Sequence, residues 1–402
     1  MLLKSIITQI AEQQQIAMRS APNPFRREAL SALHPLQSHA QIIAGIRRCG
    51  KSTFMQHYLK INHRGAFFLN FEDPRMSYFD MNDWQRLDEV IADTGKKVLF
   101  FDEIQYMPEW ERFVRKKLDE KFQVFITGSN ASLLHSELGT KLTGRHLDYT
   151  LFPFSFREFA KYRKLKPSAD SVLDYMETGG FPEFLISGKT EILSQLFSDI
   201  LMRDVALRYG LRDLKSLQQL ALFLISNTGN RITANKLKNT FNISSTVTMI
   251  EYLSHLESVF LFFFVPRFSY SLKVQNQNAK KVYTIDTGLI KANTVSFSKD
   301  LGNLFENMVF LHLRRKHEHI FYYSEKQECD FVVVEKNHPE FLIQACYELN
   351  ADNLERETGG LFEAMSYFGL KKGTIVTLNQ KDSFKQNGQI INAIPAHEFL
   401  SL

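Results

Sequence analysis

Gly45-Ile46-Arg47-Arg48-Cys49-Gly50-Lys51-Ser52 decides the fold. It is a glycine, four variable residues, a second glycine, a lysine and a hydroxyl residue, the spacing of a loop that wraps phosphate. Each residue type has a physical reason. The glycines let the backbone curl so that successive N–H groups face an anion, and Lys51 brings a charge that reaches terminal phosphate oxygens. The Ser52 hydroxyl suits a hard cation such as Mg2+. A helix starting here turns its positive end to the same anion. Residues Gly45 to Ser52 and the following Thr53 are therefore the candidate nucleotide-binding set, with ATP and Mg2+ as the expected ligands.

The context agrees on both sides. An apolar strand containing Ile42 and Ile43 precedes the loop, and Phe54, Met55, Tyr58 and Leu59 follow at helical spacing. Further on, Val98-Leu99-Phe100-Phe101-Asp102-Glu103 is an apolar strand that ends in two acids. Asp102 is the second candidate Mg2+ ligand. Glu103 is the candidate general base that orients and deprotonates water. A third strand ends Thr127-Gly128-Ser129-Asn130, and a polar tip there, Asn130 or Ser129, is a candidate γ-phosphate sensor. Arg145, just before a fifth strand-like run, is a candidate arginine finger in its own chain or in a neighbouring subunit. Arg47 and Arg48 are extra cations for a γ-phosphate or an acidic partner.

Composition bounds the rest. Of 402 residues, 44% are hydrophobic and 23% charged, which excludes wholesale disorder. The 35 phenylalanines supply large cores. A formal charge of +5 permits an anionic partner without requiring one. Cys49, Cys329 and Cys346 are too scattered for a disulfide framework or a zinc motif. No apolar run approaches the roughly 18–20 residues of a membrane span, and the N-terminus lacks the apolar core of a secretory signal. A soluble, cytoplasmic protein without membrane contact is expected.

Strand-like runs at 41–46, 65–72, 97–104, 123–129 and 147–154 alternate with helical patterns, predicting an α/β fold around a parallel sheet. From 155 to 258 the texture is mostly helical, with segments at 155–164, 170–177, 190–208 and 213–226. Residues 231–257 read as helix, turn, helix, followed by strand-like runs at 258–266 and 281–285, the pattern of a winged helix. The last hundred residues return to α/β. A helix at 300–316 and strands at 319–323, 329–335 and 341–347 lead to a helix at 354–369 and a final strand at 373–378.

These motifs carry a resemblance. GIRRCGKS, NFEDPR (70–75), VLFFDEIQ, TGSNASLL, LTGR with LFPFSFREF, and GGFPEFL (179–185) resemble, in the same order, prokaryotic AAA+-type P-loop ATPases related to archaeal and STAND-like members. The resemblance covers essentially the whole chain. It implies an N-terminal helical segment (1–35), a five-stranded ATPase core (36–155), a helical lid (156–210), a winged helix (211–295) and a restriction-endonuclease-like domain (296–402). It places Lys51 and Ser52 in the phosphate-loop roles and Asp102 and Glu103 in the Walker B roles. Asn70 falls where some relatives hold a residue that restrains the catalytic glutamate. In the last domain, Glu306 and Asp330 fall on metal-binding acids. Gln344 and Cys346 stand where such domains carry glutamate and lysine. An amide and a thiol are poor partners for Mg2+, and no cation is left to polarise a nucleophile, so this site is expected to be inactive.

The leading expectation is a Mg2+-dependent ATP hydrolase that couples nucleotide state to its C-terminal domains. One competing expectation is a nucleotide-regulated DNA- or protein-binding module with little hydrolysis, and another an ATP-dependent nuclease. A finger acting in trans would require a homo-oligomer. The winged helix's second helix, from Ser245 to Leu256, has no Lys or Arg, which disfavours sequence-specific DNA reading.

Overall fold

The computed structural model describes residues 1–21, 24–63, 65–130, 142, 144–294 and 301–402, in two compact units, Met1–Leu151 and Phe152–Leu402. The first unit opens with helix α1 (Lys4–Ser20), which buries Ile7, Ile10, Ala11 and Met18. There follow β1 (Ala40–Ala44), α2 (Lys51–Asn62), β2 (Phe67–Asn70), α3 (Asp83–Thr94), β3 (Val98–Asp102), α4 (Trp110–Asp119), β4 (Gln123–Gly128) and β5 (His146–Thr150). The strands lie in the order β2-β3-β4-β1-β5, and every neighbouring pair is parallel. The central strands are covered on both faces, which explains their unbroken apolar runs. Much of the phenylalanine is spent here: Phe71, Phe79, Trp84, Phe101 and Phe113 pack as one aromatic layer, with Trp84 stacked on Phe113 at 4.6 Å.

Helices dominate the start of the second unit: α5 (Phe156–Arg163), α6 (Ala169–Thr178), α7 (Pro182–Ser187), α8 (Glu191–Asp199) and α9 (Leu214–Ser226). The helix expected over 190–208 changes to a wider π-helical winding at Ile200–Leu207. Next come β6 (Arg231–Ile232), α10 (Ala234–Thr240), α11 (Thr246–Ser258), β7 (Phe262–Pro266), α12 (Leu272–Gln277), β8 (Lys280–Thr284) and α13 (Thr287–Asn293). The three strands form an antiparallel sheet in the order β6-β8-β7.

Helix α14 (Leu301–Arg314) leads into β9 (His319–Ser324), β10 (Glu328–Glu335), β11 (His338–Ala345), α15 (Leu354–Phe368), β12 (Lys372–Thr377), β13 (Asp382–Gln386), β14 (Gln389–Pro395) and α16 (Ala396–Phe399). These strands form a mixed sheet in the order β13-β14-β12-β11-β10-β9. Its core joins Val332, Leu342 and Ile375 to Leu361 and Met365 of α15. The strand expected to be last is thus followed by a hairpin that turns through Asn387-Gly388, both left-handed (φ +50° and +76°).

The GGFPEFL stretch has a structural explanation. The Gly180 carbonyl accepts from Phe154 N, and Gly180 N donates to Asp286 Oδ2, both at 2.7 Å. Asp286 Oδ1 also caps α13 by accepting from Leu289 N at 3.2 Å. A Cβ at position 180 would collide with the Phe154 carbonyl, a backbone atom that cannot swing aside. Gly180→Ala is therefore expected to cost about 1–3 kcal/mol, read as a lower urea midpoint. An unchanged midpoint would contradict this packing.

Candidate nucleotide-binding site

In a parallel sheet all strands end on the same edge. The loop follows Ala44 at the end of β1, and Asp102 closes β3. The register pairs Ile43 with Thr127, Phe101 with Ile126 and Asn70 with Asp102, so these polar ends form one row. The loop leads directly into α2, whose first residue is Lys51. Gly45 lies so close to the end of β5 that a Cβ would strike the Leu151 carbonyl. Cys49 is buried, donates from Sγ to Leu151 O at 3.2 Å, and burial pushes its thiol pKa up. Arg27, outside the motif and nearly buried, donates from Nη1 to the Cys49 carbonyl at 3.1 Å.

Four of the expected residues converge. Lys51 Nζ is 3.2 Å from Ile46 O and 3.6 Å from Glu103 Oε1. Ser52 Oγ donates to Asp102 Oδ1 at 3.0 Å, and Thr127 Oγ1 donates to the same oxygen. Burial and the neighbouring Glu103 push Asp102 up to about 6, against the pull of Thr127, Ser52 and Lys51. Glu103 has left-handed backbone (φ +53°), and its N–H bonds the Thr127 carbonyl at 3.1 Å. The arrangement fits a triphosphate with its divalent ion: a lysine, a hydroxyl and a carboxylate meet beside a curled loop. Ser129 Oγ, buried at the end of β4, has no hydrogen-bond partner among the described residues.

Asn70 does not restrain Glu103: its Oδ1 accepts from Glu72 N at 2.8 Å. Glu103 Oε2 instead accepts from Gln105 Nε2 at 2.5 Å. Arg47 turns to Glu72 Oε1 at 3.0 Å, while Arg48 and Thr53 are exposed. Asn130 is buried at the end of the β4 segment, next to residues outside the described set. Arg145 lies at the wrong edge for its own loop. Its carbonyl accepts from Ala40 N at the start of β1, and its guanidinium pairs with Asp119 at 2.8 Å. At a rise of about 3.3 Å per residue, the length of β1 puts it roughly 15 Å from the loop. Thr127 and Arg27 were missed. The Thr at the end of an apolar strand was a visible signal for the first, whereas nothing local marks the second.

In the second unit a cation that the sequence pattern does not mark stands among the acids. Lys281 of β8 inserts its ammonium among Glu306, Glu328 and Asp330. Burial pulls its pKa down, but Asp330 and Glu306 win and hold it well above the usual lysine range. Gln344 bridges the Asp330 N–H and Glu357. Cys346 accepts from Asn353 and is pushed up to about 12, first by burial.

Comparison with known proteins places the chain. Residues 37–160 match the family described as AAA domain, and residues 169–300 match a domain of unknown function, DUF8612. Over 343 residues the chain is 35% identical to the uncharacterized protein MJ1544 of Methanocaldococcus jannaschii, spanning 79% of this chain and 76% of that one. The chain belongs to the family of that archaeal protein. Its match to an AAA domain covers the whole five-stranded parallel sheet of the first unit. An uncharacterized protein of Haemophilus influenzae is 31% identical over 297 residues, 69% of this chain and 74% of that one. The Thermotoga maritima RuvB Holliday junction branch migration motor aligns with 64% of this chain and 89% of its own, at 14% identity and a TM-score of 0.30, too slight a likeness to argue from. Among the described residues no helix of this family member is long and apolar enough to cross a membrane.

The Thr127 hydroxyl is the most direct test of the AAA domain's internal wiring. Thr127→Val keeps the shape and removes a hydrogen bond to a buried carboxylate. The expected cost is about 1.5–3 kcal/mol in urea unfolding without nucleotide. A variant as stable as the parent would contradict the bond.

Proposed function

We propose that this protein binds ATP with Mg2+ and hydrolyses it, and that nucleotide state acts on the second unit. The observation that carries the reading is the meeting of Lys51, Ser52, Asp102 and Glu103 at one edge of the parallel sheet. The loop N–H groups and Lys51 would grip the β- and γ-phosphates. Ser52 and Asp102 would hold Mg2+, which neutralises phosphate charge when bound. Glu103 would accept a proton from the attacking water at a carboxylate oxygen. With Lys51 drawn to the phosphates, Glu103 exchanges its ammonium partner for that water while Gln105 still orients the other oxygen. Arg145, turned away from its own loop, suits a finger only towards a neighbouring subunit in a homo-oligomer.

The finer division also belongs to this proposal: an N-terminal segment (1–35), an ATPase core (36–155), a helical lid (156–210), a winged helix (211–295) and an endonuclease-like domain (296–402). Support for the winged helix comes from the sequence α10, turn, α11, followed by the small antiparallel sheet. Helix α11 has no Lys or Arg and exposes Val247 and Ile250, which favours a protein partner over DNA for that face.

Steady-state ATP turnover of the parent and of Glu103→Gln separates an enzyme from a nucleotide-regulated binder. The expected result is a loss of at least 100-fold, the scale of general-base catalysis, with nucleotide binding retained. Equal rates in the two proteins would sink the hydrolase reading.

A further inference from the structure

We propose that the Lys281 ammonium occupies the place of a divalent cation in the acidic pocket of the second unit and makes that pocket metal-independent. The argument uses residues of the second unit alone and stands apart from the nucleotide reading. Lys281 comes from β8, Glu306 from α14, and Glu328 and Asp330 from β10. Its Nζ lies 2.9 Å from Glu306 Oε1, 2.6 Å from Glu328 Oε1 and 2.8 Å from Asp330 Oδ1. An ammonium has three N–H donors and no acceptor. Two of its donors make hydrogen bonds, to Glu306 and Asp330, Glu328 adds a close ion pair, and the side chain is only 4% exposed.

The surrounding bonds close the pocket. Asp330 Oδ2 accepts from Ala345 N at 3.0 Å, and Arg231 pairs with Glu328 Oε2. Tyr283 OH donates to Glu306 Oε1 at 2.6 Å. Gln344 Oε1 accepts from Asp330 N at 3.1 Å, while its Nε2 donates to Glu357 Oε2 at 2.7 Å. Arg356 holds the other Glu357 oxygen at 3.1 and 2.5 Å. A divalent ion needs several oxygens converging with open lone pairs, usually with waters. Among the described residues no group of three His, Cys, Asp or Glu stands ready to hold one. A lysine that activated water for metal-dependent cleavage would need its ammonium turned to solvent, and that of Lys281 is buried among three carboxylates. The resident cation instead joins β8 of the three-stranded sheet to β10 of the six-stranded one.

The test is the response of the full chain to Mn2+ without nucleotide. Lys281→Ala leaves the carboxylates of Glu306, Glu328 and Asp330 facing one another without the ammonium between them. In EDTA its melting temperature is expected to fall by about 10 °C, and millimolar Mn2+ is expected to restore at least half of the loss. The parent should move by less than about 1 °C on the same addition. Adding Asp330→Asn to Lys281→Ala should abolish the response. A Lys281→Ala protein indifferent to Mn2+ would overturn the proposal. Should that variant fail to fold, Mn2+ titration of the parent and of Asp330→Asn by electron paramagnetic resonance still decides. Identical free-ion curves support the proposal, and a parental Mn2+ site lost in Asp330→Asn refutes it.

Discussion

Parallel pairing of β1, β3 and β4 is the constraint on which the candidate site depends. It forces the loop after Ala44, the Asp102–Glu103 corner and Thr127 onto one edge of the sheet. Residues far apart in sequence then lie within hydrogen-bond reach without any long, flexible element. A shift of β3 by one residue would turn Asp102 to the opposite face and leave Ser52 and Thr127 without their shared acceptor.

The two units meet the same electrostatic problem in different ways. Carboxylates taken out of water need a cation or a set of donors. In the first unit Asp102 has two hydroxyl donors and a nearby lysine, yet is pushed up to about 6, first by burial. That cluster is short of positive charge in a manner suited to an arriving cation. In the second unit, Lys281 fills the corresponding need from within, and Arg231 and Arg356 supply further charge around it. Open acid sets suit reversible ligands, whereas a closed one suits architecture.

What could be read from the sequence was local. The loop, the apolar strand ending in Asp102–Glu103, and all five strands of the first sheet were legible, because glycine spacing and strand-length apolar runs report directly on backbone geometry. The hairpin β13–β14 leaves one local signal, the Asn387-Gly388 turn, whereas β13 is exposed along most of its length and gives no alternating pattern to read. Lys281 was not legible. It lies 25 residues from Glu306 and 49 from Asp330, and only the folded sheet brings them together. Gln105 was hidden for another reason: Asn70 sits on the adjacent strand at the matching register, but spends its side chain on the local Glu72 turn. Arg145 illustrates the cost of reading position without strand direction, because it precedes a strand whose far end meets the loop region.

Direct calorimetric titration of ATP with Mg2+ into the full chain, beside Lys51→Ala, is the most direct test of the account. One saturable site per chain, lost when the Lys51 ammonium is removed, is the predicted result. Absence of saturable binding by the parent, or undiminished binding by the variant, would contradict it.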